Sequence, residues 1–180
     1  MSLRNVVILS IVLALSSCKQ EQAKSVEELI ASRIGTTLIL PDSLSYESFS
    51  DTLLPLLETR AKVIVYINGE CSACTAAFSQ WKAIESELSS QGDVSILYYV
   101  KTPRFKDIEW LLSAKRFTLP VFVDPGSDIL YLNDIPERMA LLHTILLNRK
   151  NQIVLGGSPI NNPKLLELYK QQIRELTTQD

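Results

Sequence analysis

Residues 63–74 read VIVYINGECSAC, and this stretch decides the fold. The run VIVYI is apolar and β-branched, as expected of a strand that is buried on both faces. Asn68-Gly69 breaks the run, and helical periodicity follows over residues 72–88. A second strand-like run, VSILYYV, occupies residues 94–100. A strand, a helix and a strand in this order predict a right-handed βαβ unit with two parallel strands.

Strands and helices continue to alternate toward the end of the chain. The pattern predicts an amphipathic helix at residues 104–115, a short strand at 121–123, a hairpin of strands 139–147 and 152–155, and a closing helix at 161–176. The hairpin adds antiparallel strands to the parallel pair. The sequence therefore predicts an α/β fold with a mixed central sheet flanked by helices on both faces.

The first 18 residues have the features of an export signal. Arg4 precedes an apolar run at residues 6–15, which is shorter than the ~20 residues of a membrane-spanning helix but suits a secretory signal. Small residues and Cys18 follow, and this end resembles a bacterial lipobox, which implies lipidation of Cys18. The residue after Cys18 is Lys19, and a lysine there resembles the sorting signal of outer-membrane lipoproteins. We therefore expect the protein to be anchored in the outer membrane, facing the periplasm or the cell surface. The alternative is an ordinary cleaved signal with an incidental cysteine.

Three segments follow from this organisation. Residues 1–18 are predicted to be a lipoprotein signal peptide, residues 19–35 a tether that runs into a short helix, and residues 36–180 the folded domain. Inside that domain, TTLIL at residues 36–40 predicts a strand, and residues 45–59 have a broken helical pattern that includes a proline.

Cys71 and Cys74 form a CxxC motif at the junction of the first long strand and helix. A cysteine at a helix N-terminus faces unpaired backbone N–H groups, which stabilise the reactive thiolate. A second cysteine three residues later lies one turn away and can form or resolve a disulfide. The motif predicts thiol–disulfide exchange. A static or relic disulfide and a metal site are the alternatives.

Composition excludes other classes of function. The net charge is −2 without a basic cluster, so no nucleic-acid partner is expected. Three cysteines are too few for a disulfide framework. The single histidine, His143, leaves too few nitrogen ligands for most zinc sites and is expected to be a packed strand residue. We therefore expect no bound metal and no cofactor.

The chain resembles the thioredoxin-like family, and more narrowly the thioredoxin-like lipoproteins of Gram-negative bacteria. The resemblance rests on VIVYINGECSAC, LPVFVD, the NRKNQIVLGG hairpin and GSPINNPKLLELY. It implies a thioredoxin fold in which Cys71 is the nucleophile and Cys74 the resolving cysteine. It also implies that Pro120 is a cis-proline, and that the backbone of Thr118 and Leu119 beside it binds the partner peptide.

Three positions depart from the thioredoxin pattern. Glu70 stands where thioredoxins usually carry tryptophan, and its carboxylate is expected either to disfavour the Cys71 thiolate or to be a plain surface charge. Ser-Ala separates the two cysteines. Val65 stands where thioredoxins bury a carboxylate that takes the resolving thiol's proton.

Together these observations predict thiol–disulfide exchange with exported proteins at the cell envelope. Work as a reductase there would need a membrane electron donor, because exported compartments are oxidising. Whether the pair turns over as an enzyme stays open at this point. The alternatives are a non-catalytic binding module of the same fold and, less favoured, a copper or haem-maturation chaperone.

Overall fold

The computed structural model describes residues 26–41, 45–47, 54–117 and 121–178. The chain divides into two units, Met1–Ala31 and Ser32–Asp180. The described residues of the first unit belong to the first helix, and the second unit holds the sheet. Within the described residues, no helix combines the length and the apolar character that crossing a membrane requires.

The described elements follow one another as strands and short or medium helices. They are α1 Val26–Arg33, β1 Ser45–Glu47, α2 Leu54–Leu57, β2 Ala61–Asn68, α3 Ser72–Thr75, α4 Ala77–Ser89, β3 Val94–Lys101, α5 Lys106–Ala114, β4 Val121–Val123, α6 Asp128–Tyr131, a 3-10 turn Ala140–Leu142, β5 Thr144–Asn148, β6 Ile153–Gly156 and α7 Pro163–Thr178.

The described strands form one mixed sheet in the order β1-β4-β3-β2-β5-β6. Strands β2, β3 and β4 are parallel, whereas β1, β5 and β6 pair with their neighbours antiparallel. The parallel pairing of β2 with β3 runs from Ala61 opposite Val94 to Asn68 opposite Lys101. The predicted βαβ unit and the mixed sheet are thus confirmed.

Helices cover both faces of this sheet, as predicted. On one face, α4, α5 and α7 bury their apolar sides against the alternate residues of β2 and β3, and these helices contribute Phe78, Trp81, Ile84, Leu88, Ile108, Leu112, Tyr169 and Ile173. Each fully buried side chain of this size contributes about 1.5–3 kcal/mol. The other face meets α2, where Ser95 Oγ donates to the Leu56 carbonyl, and the α6 region, where Tyr66 contacts Ser127.

Four local predictions were wrong in detail. The strand predicted at residues 139–147 begins at Thr144, because residues 140–142 form a 3-10 turn. In residues 36–40 only Thr37 makes a β-bridge, and residues 45–47 are a strand rather than a helix. The helix predicted over residues 72–88 is divided at Ala76. There Thr75 Oγ1 donates to the Ser72 carbonyl, a local bond that competes with regular helix.

Candidate active site

The turn after β2 is held by backbone contacts that bring the two cysteines to the end of the central strand. The Gly69 N–H donates to the Lys101 carbonyl at the end of β3, at 2.8 Å. A Cβ on Gly69 would lie 2.8 Å from that same oxygen, so a glycine is needed for this close approach. Asn68 completes the turn with two hydrogen bonds. Its side-chain Oδ1 accepts from the Glu70 N–H at 3.0 Å, and its backbone carbonyl accepts from the Cys71 N–H at 3.2 Å.

Cys71 and Cys74 form a disulfide, with their Cα atoms 5.2 Å apart. Cys71 has an extended backbone and caps α3, and its Sγ accepts a hydrogen bond from the Cys74 N–H at 3.2 Å. Both cysteines are half-buried, so the disulfide lies within reach of a partner. The amide that points at Cys71 Sγ would stabilise negative charge on that sulfur whenever Cys71 is a free thiolate.

A cavity of about 310 Å³ adjoins Cys74. Its described walls combine an apolar part with a polar rim. The apolar part includes Val65, Ile67, Ala77, Trp81 and Ile160, and the rim includes Tyr66, Glu137, His143, Thr144 and Ser158. Cys71 is absent from the described lining. Cys74 therefore faces the interior side of the site, and Cys71 the outer side.

A chain of polar contacts runs along the rim of this cavity. The Tyr66 hydroxyl lies 2.9 Å from Ser127 Oγ and donates to Glu137 Oε1 at 3.2 Å. Lys101 Nζ donates to the same Glu137 oxygen at 2.8 Å. Burial raises the pKa of Tyr66 to about 12, so its proton is retained at neutral pH. The hydrogen bond from Lys101 lowers the pKa of Glu137, which is therefore a carboxylate.

His143 lies directly before β5 and packs against Tyr66. Its carbonyl accepts from the Tyr66 N–H at 2.7 Å, and the two rings meet edge to face with centroids 4.8 Å apart. Its Nε2 is buried without a hydrogen-bond partner among the described residues. Burial lowers the pKa of His143 below 6.5, so the ring is neutral at pH 7.

The residues predicted for the site have separate outcomes. Glu70 is exposed on the turn before Cys71, and its charge acts on Lys101. Residues 118–120 (Thr118, Leu119 and Pro120) and Cys18 lie outside the described residues, so their roles stay predictions. Strand β4, which follows Pro120, pairs with β1 and β3.

The strand that borders β2 on the side away from β3 is β5. Part of the described lining of the cavity therefore comes from the segment before β5, which supplies Glu137, Ala140 and His143. Sequence reasoning missed this segment as part of the site. The signal that could have found it is the hairpin, because an antiparallel hairpin strand beside the CxxC strand brings its preceding loop to the cysteines.

Comparison with solved structures decides the architecture. A candidate protein disulfide isomerase from Bacteroides thetaiotaomicron superposes with a TM-score of 0.59 at 18% identity, over 82% of this chain and 91% of that one. The thioredoxin domain of a thiol-disulfide oxidoreductase from Bacteroides vulgatus gives 0.54 at 12% identity, over 76% and 97%. The chain has a thioredoxin-like fold.

Other proteins share this thioredoxin-like fold. The bacterioferritin comigratory protein of Xanthomonas campestris, studied for its alkyl peroxide reduction activity, superposes with a TM-score of 0.58 at 17% identity, over 76% of this chain and 98% of that one. No family model matches the chain, and no curated protein matches it. At these identities the likeness establishes the fold, and chemistry must be argued from the site itself.

Proposed function

We propose that this protein exchanges disulfides with exported proteins at the cell envelope, through the Cys71–Cys74 pair. One observation carries the proposal. In a thioredoxin-like fold, a half-exposed disulfide stands at the end of the central strand, with a backbone amide directed at Cys71 Sγ. A disulfide kept only for stability would have no need of partial exposure or of an amide that stabilises the Cys71 thiolate.

The exchange proceeds in two balanced steps. A partner thiolate attacks Cys71 Sγ, the Cys71–Cys74 bond breaks, and Cys74 leaves as a thiolate that takes up a proton. A second partner thiolate then attacks the partner sulfur of the mixed disulfide, and Cys71 is released. In the reverse direction, the Cys71 thiolate attacks a partner disulfide and Cys74 resolves the product. Cys71 is the attacked atom because Cys74 faces the cavity.

The partner is an extended segment of an exported protein that carries a thiol or a disulfide. We propose that it lies across Cys71 and contacts Thr118, Leu119 and Pro120, as the resemblance implies. Glu70 stands at the exposed edge of the turn and would tune Cys71 through its charge. No dissociable cofactor enters these steps, because both electrons move between sulfur atoms. Net reduction of partners would draw those electrons from a membrane donor.

Disulfide exchange is tested with wild type and the single variants Cys71→Ser and Cys74→Ser. We expect wild type to reduce insulin in the presence of dithiothreitol, and to oxidise a reduced model peptide when it starts as the disulfide. Both variants should lose turnover, and Cys74→Ser should accumulate a mixed disulfide through Cys71 that a non-reducing gel detects. Equal rates for wild type and both variants would leave only a binding module.

Lipidation of Cys18 would hold the protein at the outer membrane, facing the periplasm or the surface. Acyl chains anchor a protein by burying methylenes at ~0.8 kcal/mol each. We expect wild type in the membrane fraction of an expressing bacterium and Cys18→Ala in the soluble fraction. Membrane association that survives the substitution would refute the anchor without affecting the exchange assay.

A further inference from the structure

A second cavity adjoins the one that Cys74 lines. It has a volume of about 330 Å³ and lies between α4 and the loop that precedes α7. Ile160 lines both cavities, and α4 contributes to both, with Ala77 in the first and Ala83 in the second. The two cavities therefore form one depression along α4, which begins at the disulfide. We call this depression the α4 groove.

The spacing of the two cavities suits alternate side chains of an extended segment. Ala77 and Ala83 line one cavity each and are about 9 Å apart along the helix axis. Trp81 and Ile84, which also line one cavity each, are about 4.5 Å apart along that axis. In an extended chain, residues i and i+2 point to the same side and are about 6.6 Å apart. This distance lies between the two offsets, so alternate side chains can fill the two cavities.

The described lining of the α4 groove favours uncharged side chains. The second cavity has apolar walls that include Ile84 and Leu166, and its described lining contains no charged residue. In the described lining of the first cavity, the charged side chain is Glu137, whose carboxylate already accepts from Lys101 and Tyr66. A charged partner side chain would lose its hydration in the groove without gaining an unpaired opposite charge. The groove therefore fits an apolar segment.

The disulfide places a reacting partner at the start of the groove. The sulfurs of Cys71 and Cys74 are bonded to each other, so a partner sulfur joined to Cys71 lies one bond from the atom that Cys74 attacks. Cys74 itself lines the first cavity. The residues next to the partner cysteine are therefore close to the groove. The exposed side-chain amides of Gln80 and Asn161, at the second cavity, can donate to and accept from their backbone.

We propose that the α4 groove binds an extended apolar segment of the partner, which places the side chains two and four positions from the reacting cysteine in the first and second cavities. This proposal rests on the exchange function proposed above and names its substrate class, a cysteine flanked at alternate positions by apolar residues. In an extended chain these two side chains point to the same side as the cysteine side chain. Bonding to Cys71 and filling of the groove are therefore compatible.

The test uses peptides whose single cysteine carries nitrothiobenzoate as a mixed disulfide. Cys18→Ala in every protein leaves Cys71 and Cys74 as the only thiols. The Cys71 thiolate attacks the peptide sulfur, and the bond to nitrothiobenzoate breaks to release this coloured thiolate. Cys74 then attacks the Cys71 sulfur and releases the peptide as a thiolate. The absorbance of nitrothiobenzoate gives the second-order rate constant for each peptide.

The peptides differ at the positions two and four residues from the cysteine, on both of its sides. We expect leucines at the second positions to raise the rate constant about 10-fold over serines, because each burial of a leucine side chain is favourable. Leucines at the fourth positions should raise it further, by about 5-fold. Aspartates at the same positions should give no gain over serines.

Ala83→Phe tests the second cavity, because it adds a large side chain from an exposed position of α4. It should remove the gain from leucines at the fourth positions and keep the gain from leucines at the second. Ala114→Phe is the matched control, because Ala114 is exposed on α5 and belongs to the described lining of neither cavity. It should react as wild type does. Ala83→Gln replaces Ala83→Phe if circular dichroism shows that the latter does not fold.

Three outcomes would overturn the proposal, and they are distinguishable. If no peptide releases nitrothiobenzoate, the exchange function is refuted and the role of the groove with it. If all peptides react at measurable but equal rates, the exchange function stands and the groove has no role in selecting partners. If leucines raise the rate, but those at the fourth positions do so equally in wild type and Ala83→Phe, the apolar segment binds elsewhere than in the α4 groove.

Discussion

Replacement of Gly69 by alanine should loosen the turn that presents Cys71. The Gly69 N–H donates to the Lys101 carbonyl at 2.8 Å, which joins the end of β2 to the end of β3. An added Cβ would stand 2.8 Å from that oxygen, 3.1 Å from Val100 Cγ1 and 3.3 Å from Ile108 Cγ2. Two of these three neighbours are core side chains and the third is backbone, so the strand ends themselves must separate.

The magnitude follows from these contacts. Forcing an extra methyl group into a packed core costs about 1–3 kcal/mol. Lengthening of the Gly69–Lys101 hydrogen bond adds up to about 1 kcal/mol. Alanine also has less conformational entropy than glycine in the unfolded chain, and this offsets the loss of stability by about 0.4–1 kcal/mol. We therefore expect Gly69→Ala to lower the free energy of unfolding by about 2 kcal/mol, and to slow exchange because Cys71 is displaced.

Urea denaturation of the oxidised protein measures this change as a shift of the midpoint at constant slope. Gly35→Ala is the matched control, because a Cβ there meets no atom within 4 Å and only its left-handed φ of +82° adds strain. That control should lose less stability and keep the exchange rate of wild type. A Gly69→Ala protein with the midpoint and exchange rate of wild type would refute the reasoning.

Three further substitutions test separate parts of the account. Burial lowers the pKa of Lys62 from 10.5, so the stability of wild type should rise as pH increases toward 10.5. Lys62→Met should lack that rise and should be more stable than wild type by on the order of 1 kcal/mol at neutral pH. Denaturation across this pH range measures both effects. Tyr169→Phe removes a buried bond of 2.8 Å to the Gly157 carbonyl and should cost about 1–3 kcal/mol in the same assay. In a Cys74→Ser background, Glu70→Ala should speed iodoacetamide alkylation of Cys71 by removing a nearby negative charge, and unchanged alkylation would mark Glu70 as a plain surface residue.

The central elements of the fold were predictable because their patterns are local. Strand β2 contains a continuous apolar run, and α7 has apolar residues at helical spacing. Both elements could therefore be predicted without knowing which other elements they pack against. Strand β1 has the polar sequence SYE, and only its pairing with β4 makes it a strand. The apolar run at residues 139–147 was divided between a turn and β5, a division that periodicity does not encode.

The site was predictable only in its covalent part. Cys71 and Cys74 are close in sequence, and their spacing alone indicates a disulfide. The polar rim joins Tyr66, Glu137 and His143, which are separated by up to 77 positions in the sequence and belong to no motif. Only the antiparallel pairing of β5 with β2 brings them together, and that pairing depends on the whole sheet.

The reduction potential of the Cys71–Cys74 couple tests the central claim most directly. It is obtained by equilibrating the protein in glutathione buffers and counting alkylated thiols by mass spectrometry. If the pair exchanges disulfides, we expect a reduction potential between roughly −270 mV, the value of thioredoxin, and roughly −120 mV, the value of a strongly oxidising disulfide exchange protein. A potential below about −300 mV would identify a structural disulfide and contradict the account.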